Sequence, residues 1–310
     1  MTTYLIYDDI YLEHDTGPHP ETSARLTQTV AYLKDKGIWD KLSHIKPRPA
    51  KTDQIAYIHS PDYIKAVEKV AQQGGGNLDM DTVISARSYE AAVYAVGGTL
   101  DAVDAVIKDK GSNALCLVRP PGHHATPTRG MGFCLFNNVA IAARYIQKKH
   151  KLQRIAIIDW DMHHGNGTQD AFYDDPSVLY FSLHRYPYYP GTGSHLEIGE
   201  GKGKNLIINR PLSADVTPKE FISEFGQVLD NQISSFKPDF ILLSAGFDGY
   251  QGDPLGGLNL SVEDFYKHTT EVKKLADKSC QGRIVSGLEG GYSLTGLPLC
   301  IAAHLKGLQG

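Results

Sequence analysis

Apolar residues are concentrated in seven short runs, each bounded by polar or turn-forming residues. The runs are rich in leucine and β-branched residues and show no polar alternation, which is typical of strands buried on both faces of a parallel sheet. The stretches between them are longer and carry helical patterns. The predicted strands are residues 3–7, 114–118, 154–159, 178–183, 205–209, 240–245 and 283–286.

Helix-start signals support this alternation. Ser60 precedes a proline and an aspartate, which indicates an N-cap with Pro at the first helical position. Thr217 precedes Pro218 and stands three residues before Glu220, the pattern of a capping box. Further helices are predicted at about 87–109, 138–149 and 262–278. We therefore predict an α/β fold with a doubly wound, mostly parallel central sheet flanked by helices.

Composition adds bounds to this picture. With 310 residues, 41% of them hydrophobic and 21% charged, and no repeat or linker, the chain is expected to form a single domain over residues 1–310. Two domains remain an alternative at this length. A net charge of -4 gives no general attraction to nucleic acid or anionic lipid. The four cysteines are widely spaced and are interpreted as thiols.

The N-terminal sequence lacks the basic segment and long apolar run of a signal peptide. No apolar run approaches the roughly 18 residues that a membrane helix needs. We expect a cytoplasmic protein without a membrane or nucleic-acid partner.

Polar residues follow four of the predicted strands at their carboxyl ends. Ligands of open parallel sheets bind beyond these ends, so the side chains are expected to converge. They are His123 and His124 after residues 114–118, Asp161 and His163 after 154–159, Asp248 after 240–245, and Tyr292 after 283–286.

These residue types suggest metal chemistry. Asp161 and His163 lie two residues apart in an extended segment, so both can face one ion, and Asp248 can complete the set. Two carboxylates and one imidazole with open positions suit a catalytic zinc or another divalent ion. The adjacent histidines supply a candidate general base for metal-bound water, and Tyr292 supplies an O–H donor for an oxyanion. Metal-assisted amide hydrolysis uses these groups.

Taken alone, each residue has a simpler interpretation. An aspartate after a strand, such as Asp248, is commonly a turn or cap residue, a tyrosine after two glycines is commonly a packing residue, and exposed loop histidines are frequent. Their joint occurrence at four strand ends favours a site.

The motifs "RPPGHHA", "GFCLFNN", "DWDMHHGNGTQ", "SAGFDGYQGDPLGG" and "LEGGY" occur in this order. Together with "HPETSARL" and "SLHRY" they resemble the histone deacetylase and acetylpolyamine amidohydrolase superfamily, closest to its class II-like bacterial-type members, over essentially the whole chain. The resemblance implies an arginase-like α/β domain. One departure is Ser23, which replaces the second proline of the H-P-E-x-P-x-R motif, so contacts of the first loop with the rim are in doubt.

The resemblance implies a zinc-dependent amidohydrolase in which metal-bound water attacks the amide carbonyl. Asp161, His163 and Asp248 would bind the zinc ion. A structural potassium ion is also implied nearby. The matching potassium residues are Asp159, Asp161, His163, Ser182 and Leu183.

Catalytic roles are implied in the same way. His124 would act as general base and then general acid, and His123 would be an electrostatic partner held by Asp159. The partner of His124 is Asn166, where many relatives have an aspartate, so His124 is expected to be less basic. Tyr292 would polarise the scissile carbonyl and stabilise the oxyanion.

The family's substrate channel maps onto Gly132, Phe133, Tyr189 and Leu255. The implied substrate is an acyl-lysine peptide or protein, or a small acylated amine. Because the polyamine-selective branch carries a glutamate where this chain has Leu255, acyl-lysine substrates are expected to be preferred. Acyl length, a role for histones and oligomeric state stay open.

Other residues are assigned no direct role in the reaction. Asp253, His19 and Arg25 are interpreted as ordering loops, and His184 and Cys134 as structural.

Two rival functions use part of this pattern. An arginase-like ureohydrolase needs an aspartate where the chain has Gly165, and it has no use for the histidine pair or Tyr292. A catalytically silent module that binds acylated lysine is disfavoured by the complete set of site residues.

Overall fold

The computed structural model describes residues 2–310. A central eight-stranded sheet, in which all neighbouring strands are parallel, confirms the predicted single-domain α/β fold. Two further strands, β3 and β4, form a separate antiparallel hairpin. The strands are β1 (Thr3–Ile6), β2 (Ser43–Ile45), β3 (Gly75–Asn77), β4 (Val83–Ser85), β5 (Asn113–Cys116), β6 (Ile155–Asp159), β7 (Val178–Arg185), β8 (Ile207–Leu212), β9 (Phe240–Ala245) and β10 (Ile284–Leu288).

The order of strands across the sheet is β2-β1-β5-β10-β9-β6-β7-β8. Every residue of β5, β6, β9 and β10 is buried, which explains why these segments are apolar without alternation. The eight strands of this sheet all point the same way, so their carboxyl ends share one edge of the sheet.

The helices pack in two groups against this sheet. Helices α4 and α5 form one group. Helix α4 contacts β1, β5 and β10, and helix α5 contacts β6 and β9. The other is the series α1, α10, α9 and α7, which reaches β1 and β9. The helices are α1 (Ala24–Asp35), α2 (Thr52–Ile55), α3 (Pro61–Gln72), α4 (Ser88–Lys108), α5 (Asn138–Tyr145), α6 (Asn166–Ala171), α7 (Pro218–Val228), α8 (Ser234–Phe236), α9 (Val262–Cys280) and α10 (Leu297–Gln309).

Both predicted helix starts are confirmed. Ser60 Oγ accepts the Tyr63 N–H at 3.2 Å. At α7 the Thr217 Oγ accepts the Glu220 N–H, and the Glu220 carboxylate accepts the Thr217 N–H at 2.8 Å, which completes the capping box.

Several predicted boundaries were wrong. Helix α5 ends at Tyr145 and passes into a π-helical turn (Ile146–His150), and the strand expected at 205–209 lies at Ile207–Leu212. Strand β2 was missed because its three residues are not buried, and helix α10 was missed because it is apolar almost all round. The remaining short helical turns are Asp9–Glu13, Trp39–Lys41, Gly201–Gly203 and the π-helical Leu229–Ile233.

Within residues 2–310, no helix combines the length and apolar character that crossing a membrane requires. The four cysteines are buried free thiols.

Candidate active site

A narrow pocket of about 210 Å³ opens beyond the carboxyl ends of the central strands. It contains all four residues predicted for the substrate channel, together with one of the paired histidines and the predicted oxyanion donor. The residues that line it are Asp81, His124, Gly132, Phe133, His163, Tyr188, Tyr189, Leu255 and Tyr292.

The three predicted metal ligands converge at this pocket. Ligand atoms of Asp161, His163 and Asp248 all lie within 4.8 Å of one another. His163 Nδ1 is 3.1 Å from Asp161 Oδ1 and 2.9 Å from Asp248 Oδ2. Backbone groups orient the carboxylates, because the Gly290 N–H donates to Asp161 at 2.8 Å and the Met162 N–H donates to Asp248 at 3.0 Å.

The electrostatics of this cluster favour a cation. Asp161 and Asp248 are fully buried. Burial and then the charge of Asp161 raise the pKa of Asp248 to about 7. Although burial alone would lower it, the two carboxylates hold the pKa of His163 well above its usual value. Two desolvated carboxylates and one imidazole therefore have the donor set of a divalent metal site, and a bound cation would compensate the buried negative charge.

Close backbone approach explains the glycines around the cluster. A Cβ on Gly246 would lie 2.1 Å from Asp161 Oδ2, and one on Gly290 would lie 2.5 Å from carboxylate oxygens of both Asp161 and Asp248. A Cβ on Gly165 would lie 2.3 Å from Asp159 Oδ2. Any side chain at these positions would displace a carboxylate of the site.

The two paired histidines have different partners. His123 Nδ1 lies 3.1 Å from Asp159 Oδ2, which also accepts the Tyr180 hydroxyl at 2.9 Å. His124 Nδ1 lies 2.9 Å from Asn166 Oδ1. Since the amide oxygen can only accept, His124 carries its proton on Nδ1 and leaves Nε2 as a free base.

These partners separate the basicities of the two imidazoles. Although burial lowers it, the charges of Asp159 and Asp161 raise the pKa of His123 to about 10. Burial and then the charges of His123 and His163 hold the pKa of His124 well below its usual value. His124 is thus neutral beside a cationic neighbour.

Tyr292 follows β10 and lies 5.8 Å, ring to ring, from Phe133 in an edge-to-face arrangement. Burial raises the pKa of Tyr292 well above its usual value, while the Arg25 guanidinium, 5.0 Å from the ring centre, lowers it. The hydroxyl therefore stays protonated and can donate a hydrogen bond.

The channel wall depends on unusual backbone geometry. Gly132 and Phe133 both have positive φ, +55° and +69°, and such a value is rare for a phenylalanine. A Cβ on Gly132 would lie 2.4 Å from the His124 ring and 3.0 Å from the Tyr189 hydroxyl. Only glycine keeps the channel open between these two side chains.

The residues matched to potassium lie next to the metal ligands. Asp159 ends β6 directly opposite Ser182 of β7, and Leu183 is the next residue of that strand. Asp159 Oδ1 accepts the Asp161 N–H at 3.1 Å.

Sequence reasoning missed one buried acid beneath the histidine pair. Glu289 Oε2 accepts the N–H groups of Gly122 and His123 at 2.7 and 3.1 Å, and its other oxygen accepts the Ser244 hydroxyl. The sequence feature that could have indicated Glu289 is a carboxylate within the otherwise apolar stretch "GLEGGY". His123, Cys134 and Glu289 also bring potential ligand atoms within 4.8 Å. Three hydrogen bonds already occupy the Glu289 carboxylate, which indicates a structural role for this group.

Residues assigned to loops behave accordingly. Arg25 donates to the carbonyls of Gly291 and Glu289, and His19 contacts the Asp81 carbonyl and the Phe133 ring. His184 bonds Ser182 and the Gly193 carbonyl.

Comparison with known proteins identifies the group to which this site belongs. The family model described as histone deacetylase domain matches residues 19–308. The chain belongs to the histone deacetylase family. It is 38% identical to a probable deacetylase of Archaeoglobus fulgidus over 96% of this chain and 83% of the relative. It is 37% identical to histone deacetylase 10, chloroplastic, of Oryza sativa subsp. japonica over 96% of this chain and 71% of that protein.

A solved structure has the same fold. The crystal structure of the HDA15 HD domain superposes with a TM-score of 0.91 at 33% identity, covering 99% of this chain and 89% of that one. Membership of the histone deacetylase family supports deacetylase activity, an acylated substrate and a bound metal ion.

Proposed function

We propose that this protein is a zinc-dependent deacetylase that removes acetyl, or another acyl group, from the ε-amino group of lysine in peptides or proteins. One observation carries the proposal. Ligand atoms of Asp161, His163 and Asp248 lie within 4.8 Å of one another beside a narrow pocket that His124 and Tyr292 also line. Family membership supports the deacetylation, and the shape of the pocket supports an acylated chain as its occupant.

The donor set fits zinc. Asp161, His163 and Asp248 provide two oxygens and one nitrogen, the ligand number of catalytic zinc sites that keep a position for water or substrate. Bound there, zinc would supply Lewis acidity, which lowers the pKa of a water molecule and polarises a carbonyl group.

His124 is the proton carrier in this proposal. Its Nε2 is unprotonated and its ring lines the pocket, so it can accept a proton from the attacking water. The same nitrogen then donates the proton to the leaving lysine amine. Asn166 keeps Nδ1 protonated throughout, and as a neutral partner it leaves His124 less basic than a carboxylate would.

Tyr292 and His123 stabilise the charge that develops. The Tyr292 hydroxyl donates to the carbonyl oxygen as it becomes negative. His123, paired with Asp159 at 3.1 Å, keeps a positive charge beside His124 without joining the proton transfer.

The channel favours an acyl-lysine chain. Phe133 and Tyr189 present aromatic surface, and Leu255 adds no charge, so the alkyl stem of lysine is well accommodated. A cationic acetylpolyamine finds no glutamate at that position. We therefore propose that acyl-lysine peptides are preferred to acetylpolyamines, and comparable turnover of both would refute the preference.

Two further assignments belong to the proposal. We also propose a structural potassium ion, which the pairing of Asp159 with Ser182 supports. The residues proposed to lie around it are Asp159, Asp161, His163, Ser182 and Leu183. We also propose that the protein is cytoplasmic and has no nucleic-acid or membrane partner, which the net charge of -4 and the widely spaced cysteines support.

The deciding experiment measures zinc-dependent acetate release from an acetyl-lysine peptide and from acetylputrescine by wild type and Tyr292→Phe. We expect the variant to keep its zinc and to lose roughly 100-fold to 1000-fold in kcat, the cost of removing one oxyanion donor.

Zinc content measured on both proteins is the control. If zinc-loaded wild type cleaves neither compound, the deacetylase proposal fails for acetyl substrates and a binding role gains support.

A further inference from the structure

Asp253 lies between two loops that contribute to the pocket. Its Oδ2 accepts the N–H groups of Tyr292 and Ser293 at 2.5 and 2.9 Å. Its Oδ1 accepts the Leu255 N–H at 3.0 Å. One carboxylate thus holds the backbone of the oxyanion donor on one side and the backbone of a channel residue on the other.

The opposite side of the same loop is held by a cation. Arg25, which is fully buried, donates from Nε to the Gly291 carbonyl at 2.6 Å and from Nη2 to the Glu289 carbonyl at 2.5 Å. Glu21 in turn fixes this guanidinium at 3.0 Å. Four backbone groups of this loop are therefore held by side chains. Arg25 binds the carbonyls of residues 289 and 291, and Asp253 binds the N–H groups of residues 292 and 293.

This arrangement limits how Tyr292 can move. With the peptide groups before and after it fixed, the position of its hydroxyl depends only on its side-chain rotamer, which Phe133 and Arg25 restrict. Leu255 is tied to the same carboxylate, so a shift of the Asp253 loop would move the channel wall and the oxyanion donor together.

We propose that Asp253 is a positioning residue for deacetylation, one that couples the channel wall at Leu255 to the catalytic hydroxyl of Tyr292. The inference rests on the proposed function, because it assigns Asp253 its effect through Tyr292. Asp253 itself does not line the pocket, and its carboxylate accepts from the backbone N–H groups of Leu255, Tyr292 and Ser293.

Asp253→Asn tests the coupling. An amide has one acceptor oxygen, so one of the two loops would face an NH2 group where it now meets an acceptor. Displacing a catalytic group by about 1 Å costs on the order of 100-fold in rate. We expect kcat to fall by that order, with a much smaller change in KM and unchanged zinc content.

Asp239→Asn is the matched control. One oxygen of Asp239 likewise accepts two successive backbone N–H groups, those of Gln153 and Arg154, at 3.1 and 2.9 Å, but it lies at the amino end of β9. We expect this variant to keep wild-type kcat, because its loop does not carry a site residue. If Asp253→Asn does not fold, Asp253→Ser replaces the two carboxylate oxygens with one shorter hydroxyl, so the two loops can no longer both be held.

A double-mutant cycle separates positioning from general loop damage. If Asp253 acts through Tyr292, Asp253→Asn should cost less than threefold in the Tyr292→Phe background, since the hydroxyl it positions is gone. An equal loss in both backgrounds, or loss of zinc from the single variant, would overturn the inference.

Binding of an alkyl hydroxamate to zinc-loaded protein gives a readout that needs no turnover. Its carbonyl would accept from Tyr292, so Asp253→Asn and Tyr292→Phe should weaken binding together and non-additively. Wild type that binds hydroxamate but cleaves no acyl-lysine refutes the proposed function. If wild type cleaves acyl-lysine and Asp253→Asn cleaves it and binds hydroxamate equally well, only the role of Asp253 is refuted.

Discussion

At the scale of single residues, substitution of Leu255 tests the preference between acyl-lysine peptides and acetylpolyamines most directly. It lines the pocket without charge. We predict that Leu255→Glu raises the ratio of kcat/KM for acetylputrescine over acetyl-lysine peptide by about tenfold. The reason is that a unit charge pair at a few ångströms in a partly solvated site is worth at least 1 kcal/mol.

Glutamine has nearly the same shape as glutamate but no charge, so Leu255→Gln separates the effect of charge from the effect of side-chain size. Both ratios are measured by steady-state kinetics at low ionic strength, where screening is weak. An equal shift in the glutamine variant would show that charge is not the cause.

Single residues also show what the sequence could reveal about the site. Asp161, His163 and Asp248 were found because each follows a recognisable strand. Glu289 and Tyr180 were missed because their importance comes only from what they touch, the His123 backbone and the Asp159 carboxylate. For Asp253 the sequence predicts a role in loop order, but nothing in it indicates that the two carboxylate oxygens bond different loops.

At the scale of elements, the segment after β10 must pass very close to the segments after β6 and β9. We predict that Gly290→Ala lowers metal affinity about tenfold to a hundredfold. The added methyl group would lie 2.5 Å from carboxylate oxygens of both Asp161 and Asp248, and these carboxylates must turn away. Competition with a chelator measures the affinity.

Gly226→Ala provides the comparison. This glycine lies within α7 and has open space where a Cβ would be, so alanine should leave metal binding unchanged and stabilise the fold by about 0.5–1 kcal/mol. Equal metal affinity in the two variants would contradict the argument from close approach.

Elements differed in how well the sequence predicted them, for physical reasons. Strands such as β6 and β9 were predictable because burial on both faces imposes a continuous apolar run. The β3–β4 hairpin has no such constraint, as most of its residues are exposed or half-buried. Asp81 nevertheless lies in the loop of this hairpin and lines the pocket, so one pocket residue comes from a segment that burial does not mark.

At the scale of the whole molecule, buried histidines make stability depend on pH. Burial lowers the pKa of His268 to about 3, whereas an unfolded histidine titrates near 6.5. The unfolded state therefore binds the proton first, and stability falls by about 1.4 kcal/mol per pH unit as pH drops from 6.5 towards 3. Other buried histidines with lowered pKa values are His14, His59, His184 and His304.

We predict that His268→Leu is more stable than wild type by about 1 kcal/mol at pH 7.5, and by roughly 2 kcal/mol more at pH 5. Neither ring nitrogen has a hydrogen-bond partner within residues 2–310, and the ring lies among Trp160, Phe225 and Phe265. Urea unfolding at the two pH values measures both differences.

His304→Leu is the companion variant. His304 has a similarly lowered pKa but bonds the hydroxyls of Thr269 and Ser286, each at 2.8 Å. His304→Leu should show the same pH-dependent gain in the free energy of unfolding between pH 7.5 and pH 5. At pH 7.5 it should be less stable than wild type, because the substitution leaves a buried hydroxyl without its hydrogen-bond partner. A destabilised His268→Leu at both pH values would refute the argument.

The position of β10 has a consequence for how the protein is made. This strand is synthesised after all the others, yet it lies between β5 and β9 and joins the half-sheet β2-β1-β5 to the half-sheet β9-β6-β7-β8. Until it emerges from the ribosome, each half exposes an apolar strand edge, which invites aggregation and chaperone binding. Asp161, His163 and Asp248 all belong to the second half, whereas the paired histidines follow β5. A nascent chain can therefore capture its metal ion before it possesses an active site.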